Sequence, residues 1–288
     1  MKNNCALCPV RCGADREKTA GYCGEKNKMR IAKYYLHKFE EPCITGENGS
    51  GTVFFCGCSL KCVFCQNYAL SRSQTGKEIT PEELAEIFAE LEKAGATNIN
   101  LVTPTHFAPL IKKAYEIYRP KIPTVYNTHS YEPIETLKIL EPYVDIYLPD
   151  LKFFSPEISY RYTRKRDYFE IASKAIKYMM NAKPVAFNED GNMRSGVIVR
   201  HMIMPLCVED SKKIVRWFAE NKKNGAYFSL MAQYTPFGNI EECKELSRKI
   251  TAREYERVYE ELLSLGITDY FAQELGSSSE SFIPKWDF

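Results

Sequence analysis

The chain has 288 residues, 44% apolar and 26% charged, with a formal net charge of +2. That balance excludes a strongly basic nucleic-acid binder and gives no electrostatic pull toward a membrane. No apolar run reaches the roughly 18–20 residues of a spanning helix, and the start, MKNNCALCPVRCG, lacks a secretory leader's apolar stretch, so the cytoplasm is the expected location.

Residues 1–50 carry Cys5, Cys8, Cys12 and Cys23, show little hydrophobic periodicity and leave through TGENGSG. So short a segment can bury little apolar surface, and a small metal-pinned module is expected. Clustered cysteines in a reducing compartment point to metal or redox chemistry rather than disulfides. Pro9, Gly13 and Gly24 beside three of the thiols permit the tight turns of a metal site. Zinc would make the four cysteines a structural staple. An iron–sulfur cluster would make them an electron relay or a substrate-facing site.

From residue 51 apolar strands and amphipathic helices alternate. Thr52–Phe55 is a short strand. Thr80-Pro-Glu-Glu is a helix start, with a capping hydroxyl, proline in the first turn and acids at the positive dipole end. Leu84, Ile87, Phe88 and Leu91 follow at helical spacing, and Gly95 ends the element. Strands are expected at 99–102, 122–127, 144–148, 197–204 and 227–233, and helices at 107–118, 133–140, 166–181, 209–221 and 251–264. Near-continuous apolar strands separated by helices mean βα units about a parallel sheet, either doubly wound or an open barrel. Functional residues then belong at the carboxyl ends of the strands.

The segment FFCGCSLKCVFCQNY holds Cys58, Cys62 and Cys65, with Cys56 as an extra member. Three thiolates can hold three irons of a cubane and leave the fourth open to a small ligand. A closed zinc site would need a fourth sulfur, which Cys56 could supply. This C-x3-C-x2-C spacing after the first strand resembles that of the radical S-adenosylmethionine (SAM) superfamily. The resemblance implies a partial (β/α)6 TIM-like barrel over 51–240, a [4Fe–4S] cluster on Cys58, Cys62 and Cys65, and SAM chelated to the open iron. It implies reductive cleavage of SAM to a 5′-deoxyadenosyl radical that abstracts hydrogen from a substrate, with Phe64 packed near the adenine. Residues 241–288 would then be a helix and tail packed on the barrel, the tail crossing its mouth.

Three later segments, VYNTHSYEP, VDIYLPDLKF and VIVRHMIMP, resemble strands of the pyruvate formate-lyase activating enzymes and their uncharacterised relatives. By that resemblance Lys152 contacts the SAM carboxylate, Asp150 and Thr128 lie near a SAM-linked cation, and Arg200 takes its matching place. Where the superfamily usually has Gly-Gly-Glu, this chain has LVTPTHF, so Thr103 and Thr105 offer carbonyls and hydroxyls but no carboxylate for the SAM ammonium. His106 follows as a candidate acid, base or donor, or as a helix cap, and His129 is open to the same two readings. Tyr234 is the nearest match to the activases' histidine after the sixth strand. The resemblance also implies a flavodoxin or ferredoxin as reductant. The substrate is a glycyl radical enzyme or other protein or peptide, or alternatively a small molecule. A non-enzymatic electron carrier is the competing class. His37 and His201 read as structural, Cys43, Cys207 and Cys243 as buried small residues, and the basic stretch 160–166 as a solvated helix start.

Overall fold

The computed structural model describes residues 4–72 and 75–273. Among them ten strands form one mixed sheet: β1 (Met29–His37), β2 (Ser50–Phe55), β3 (Lys77–Ile79), β4 (Ile99–Val102), β5 (Thr124–Thr128), β6 (Ile146–Pro149), β7 (Ala186–Phe187), β8 (Met193–Met202), β9 (Tyr227–Met231) and β10 (Tyr270–Ala272). The helices are α1 (Pro42–Thr45), α2 (Tyr68–Arg72), α3 (Pro81–Lys93), α4 (Ala108–Ile117), α5 (Ile134–Leu140), α6 (Pro156–Thr163), α7 (Tyr168–Ala182), α8 (Val208–Asn221) and α9 (Ala252–Ser264).

The strand order β10-β9-β8-β6-β5-β4-β2-β1-β3 decides between the two sheet types expected from sequence. From β2 to β10 every pairing on that path is parallel, and each crossover steps in the same direction. Successive right-handed crossovers in one direction put their helices on one face and curl the sheet. A doubly wound sheet would need a reversal, and none occurs. The order is that of a partial barrel, left open among the described residues because β3 and β10 do not pair.

The long elements form where their local signals say. In α3 the Thr80 hydroxyl accepts from the Glu83 N–H and the Glu83 carboxylate accepts from the Thr80 N–H, a reciprocal cap. Its apolar face buries Leu84, Ile87, Phe88 and Leu91, and burying the Phe88 ring alone contributes about 2–3 kcal/mol. α9 repeats the cap with Thr251 and Glu254. Arg248 also pairs with Glu254 and holds its carboxyl at about 2, below the ordinary 4.5. A depressed carboxyl contributes stability above its unfolded value and loses it as pH falls through the folded one. Acid unfolding should therefore show a component between about pH 4.5 and 2. In Glu254→Gln that component should be missing from melts recorded across the range.

Two segments differ from expectation. β1 is a full strand within residues 1–50. It pairs antiparallel with β2 and β3, and its Met29 and Ile31 join the core of Val53, Leu84 and Leu101. The basic stretch 160–166 ends a helix instead of starting one. Tyr162 is buried in α6, and Arg164 stops it with φ +60. The tail SSSESFIPKWDF lies outside the described residues.

Candidate functional site

A cavity of about 410 Å³ runs from the carboxyl ends of the parallel strands toward the loop that follows β1. Its walls include Thr103 after β4, Thr128 and His129 at the end of β5, Asp150 and Lys152 after β6, Arg200 and Met202 in β8, and Met231 in β9. Cys58, Cys62, Phe64 and Cys65, from the loop after β2, line it as well. Lining residues as far apart as His37 and Gln273, 236 positions, cannot meet by local structure. The parallel sheet brings them together by aligning the carboxyl ends of its strands.

Burial pushes all three thiols up. Cys65 adds to the effect at Cys58, and Cys58 and Cys65 both add to it at Cys62, where Lys152 opposes it. Burial pushes Cys56 up as well, to about 12, but its thiol is engaged elsewhere. Its thiol donates to the Thr75 carbonyl at 3.0 Å and packs with Phe54 and Leu70. Phe64 is buried edge-on against Phe153, Tyr162 and Tyr234.

Opposite the thiols is a charged network. Arg200 Nε donates to Asp150 at 2.8 Å, Nη1 to Glu40 at 3.0 Å and Nη2 to the Asn127 side-chain oxygen Oδ1 at 2.7 Å. Lys152 Nζ meets the other Asp150 oxygen at 2.6 Å. Burial would raise the Asp150 carboxyl, but Arg200 and Lys152 outweigh it and hold it below the ordinary value. Burial would lower the Lys152 ammonium, but Asp150 and Cys62 hold it above. The pair is therefore ionised. The Tyr168 hydroxyl accepts from the Lys152 N–H and reaches the Asp150 and His129 carbonyls, fixing the loop that presents both charges.

The histidines divide. His129 lines the cavity. Its Nδ1 accepts from the Tyr131 N–H at 3.1 Å, which leaves the proton on Nε2, 3.3 Å from the Ser59 hydroxyl. Burial pushes it down to about 4, so it is neutral near pH 7. His106 lies behind the wall, with Nε2 at 2.7 Å from the Cys56 carbonyl and its own carbonyl held by Arg16. Burial pushes it down to about 3. Tyr234 is also outside the lining, with its hydroxyl on the Leu246 carbonyl. Thr105 is buried, its hydroxyl donating to Glu132 at 2.7 Å. Thr128 and Tyr126 donate to the same carboxylate. His201 bridges Leu151 and Ser211 in the core, and His37 lies at the cavity wall beside Tyr35.

Sequence reasoning missed Glu40, Glu41, Glu132 and Tyr168. The run Phe39-Glu40-Glu41-Pro42 carries no motif of its own. Its signal lies only in β1, which delivers it to the amino end of β2 and so into the cavity.

The amino-terminal cysteines sit against this site. Sγ of Cys12 and of Cys23 flank Gly21, within 3.5 Å of where its Cβ would stand. Burial pushes Cys8 up to about 11, with Cys23, Cys5 and Cys12 adding to the shift. The Cys58 N–H donates to the Cys23 carbonyl at 3.1 Å. Among the described residues no three His, Cys, Asp or Glu side chains converge on a single-ion position. A cubane makes no such demand, because each thiolate takes a different iron.

Gly57 makes this junction possible. Its φ is +80, and a Cβ there would lie 2.9 Å from the Cys23 carbonyl and 2.6 Å from Glu25 Cγ. Gly24 has a φ of +95 but open space. Gly57→Ala should therefore lower the thermal midpoint clearly more than Gly24→Ala, which incurs only the backbone cost of about 1–2 kcal/mol.

The radical SAM superfamily model matches residues 52–218. The chain belongs to the radical SAM superfamily. It is a radical SAM enzyme by domain and by fold. An uncharacterized protein of Methanocaldococcus jannaschii is 31% identical over 270 residues, 89% of this chain and 73% of that protein. Streptococcus suis SuiB bound to its precursor peptide SuiA superposes with a TM-score of 0.52 at 15% identity, over 75% of this chain and 46% of SuiB. SuiB bound to S-adenosylmethionine gives 0.52 at 18%, over 75% of this chain and 48% of SuiB. This radical SAM chain thus spans just under half of SuiB, and the likeness is one of fold. Among its described residues no helix is long and apolar enough to cross a membrane.

Proposed function

We propose that Cys58, Cys62 and Cys65 hold a [4Fe–4S] cluster and that SAM binds beside it in the cavity, making this an enzyme of reductive SAM cleavage and substrate hydrogen abstraction. The observation that carries the reading is the convergence of three thiols, Cys62 buried and Cys58 and Cys65 half-buried, with an ionised Asp150–Lys152–Arg200 network on one cavity. Three neighbouring thiols, each raised by burial, ionise together only beside compensating positive charge, which iron supplies. When bound, the cluster supplies the electron that splits SAM into methionine and a 5′-deoxyadenosyl radical.

The chain's own residues bind and orient. Lys152 offers its ammonium to the SAM carboxylate, and Asp150 holds that ammonium in place. Thr103, at φ +58, and Thr128 offer oxygens to the SAM ammonium in place of a Gly-Gly-Glu carboxylate. Glu132 fixes Thr128 and Thr105 from behind. Phe64 sits in the wall as an apolar contact for adenine. The buried aromatic cage around it excludes water, which protects a reactive radical.

Cys5, Cys8, Cys12 and Cys23 would hold a second metal centre, iron–sulfur or zinc, on a small module pinned to the partial barrel. A low-potential carrier such as flavodoxin or ferredoxin would deliver the electron. Lys61 and Lys165, both stacked on Tyr22 between the two cysteine segments, would offer an acidic carrier a positive surface. The substrate would be a protein or peptide inserting one residue, as in the activase-related branch. A small-molecule substrate is the second reading, favoured by the buried polar floor at Glu40 and Glu41.

The test is anaerobic reconstitution followed by dithionite reduction and quantification of 5′-deoxyadenosine. Iron should reach about four per chain with zinc at the amino-terminal site, or about eight with two clusters. A reconstituted protein that never cleaves SAM is an electron carrier, and the proposal is then wrong.

A further inference from the structure

We infer that Glu41 is the anchor for substrate in this cavity and that it binds a cationic nitrogen group, an ammonium or guanidinium, carried by a small molecule or by one side chain of a peptide. The inference rests on the cavity's being the SAM-dependent site, and it names what that site receives.

Glu41 is 8% exposed, lines the cavity and is a neighbour of Ser229. Its Oε2 meets no donor among the described residues. The other acids nearby are already served. Glu40 accepts from Asn100, Asn127 and Arg200, and Asp150 accepts from Lys152 and Arg200. Three carboxylates therefore share two cations, and Glu41 is the one left without a direct ion pair. Buried carboxylates are ordinarily paired, so an open oxygen facing a cavity is a vacancy for a donor.

The unserved Glu41 oxygen is an acceptor, so the partner it lacks is a donor, and a carboxylate favours a donor that carries positive charge. Burial raises the Glu41 carboxyl, and an incoming cation would favour its ionised form. The position also fits an anchor. β1 runs antiparallel to β2 and releases the chain at the amino end of the sheet, whereas the three thiols sit at its carboxyl end. A group held by Glu41 thus reaches up toward the cofactor end. A cavity of about 410 Å³ is near the lower bound of ligand pockets and admits a group of this size, not a folded domain.

The experiment uses the reconstituted protein under anaerobic calorimetry, with and without SAM. The probes are 1,4-diaminobutane, 1,4-butanediol, succinate and a short alanine peptide with one lysine. The diamine or the lysine peptide should bind, and which of them does identifies the source of the cation. The diol and succinate should not bind. Glu41→Gln should weaken the cation by at least about tenfold while SAM affinity stays unchanged, and the ligand-free variant should melt no lower than the parent. If it does not fold, Glu41→Asp, which withdraws the carboxylate by one methylene, carries the same comparison. Equal binding of diol and diamine, an unchanged cation affinity, or a parallel loss of SAM affinity would overturn the inference. Absence of SAM binding to the parent protein would instead overturn the cofactor reading, and the SAM-free titration then decides Glu41 separately.

Discussion

Cys62→Ala abolishes 5′-deoxyadenosine formation from SAM, whereas Cys56→Ala retains most of it: this is the expected result of reconstituting both variants and reducing them with dithionite. The two thiols are six positions apart, and both are buried. Cys62 lines the cavity with Cys58 and Cys65 and lies within the electrostatic reach of Lys152. Cys56 instead donates to the Thr75 carbonyl and packs with Phe54 and Leu70. Loss of the first removes one of the three thiols proposed to hold the cluster. Loss of the second removes a weak donor and a small apolar group, an effect of about 1 kcal/mol on stability. Iron content should follow the same division. Full cleavage by Cys62→Ala at unchanged iron would sink the cluster assignment. Loss of cleavage in Cys56→Ala at unchanged stability would make Cys56 a ligand and revive the four-sulfur site.

Arg200→Ala should be among the most destabilising substitutions in the barrel. The guanidinium serves Asp150, Glu40 and Asn127 through three different nitrogens, and it is only 13% exposed. Removing it leaves Glu40 without a cation and Asp150 with Lys152 alone in a poorly solvated cavity, a cost of about 3–5 kcal/mol. For a chain of this size that corresponds to a fall of roughly 10 °C in thermal midpoint. Arg200→Lys should recover little, because one ammonium cannot present a planar fork to three acceptors. Arg200→Ala combined with Glu40→Gln should recover part of the loss, since one of the stranded charges is gone. Thermal melts of the four proteins check the scheme. A double variant no more stable than Arg200→Ala would mean that Glu40 is not a partner of consequence.

The regular elements were largely legible before the fold was known. Ile99–Val102 is a strand in both readings, because a short apolar run ahead of a proline has little other use. The Thr80 cap likewise set the start of α3. β1 was not legible. Its sequence, MRIAKYYLH, alternates poorly, and only two of its residues reach the core, so its signal is that of a surface strand defined by its partners. Among the site residues, those carried by motif spacing (the three cysteines, Phe64, Asp150, Lys152) meet at the cavity, together with Thr103, Thr128 and Arg200. His106 and Tyr234 are close to the motif segments in sequence but turn behind the wall, because each satisfies a buried carbonyl.

The radical SAM family was legible from local spacing alone. Three cysteines in one loop need only local spacing to share a cluster, and an alternation of apolar strands and helices suffices to demand a parallel sheet. Tertiary structure alone decided what surrounds that loop. The strand order chose a singly wound sheet over a doubly wound one, a choice that depends on the direction of each crossover and leaves no trace in periodicity. The same winding brought Glu40 to Arg200, 160 positions away, and left Glu41 open beside them. Charge pairing across such distances is set by which strand ends meet, and no local pattern encodes it.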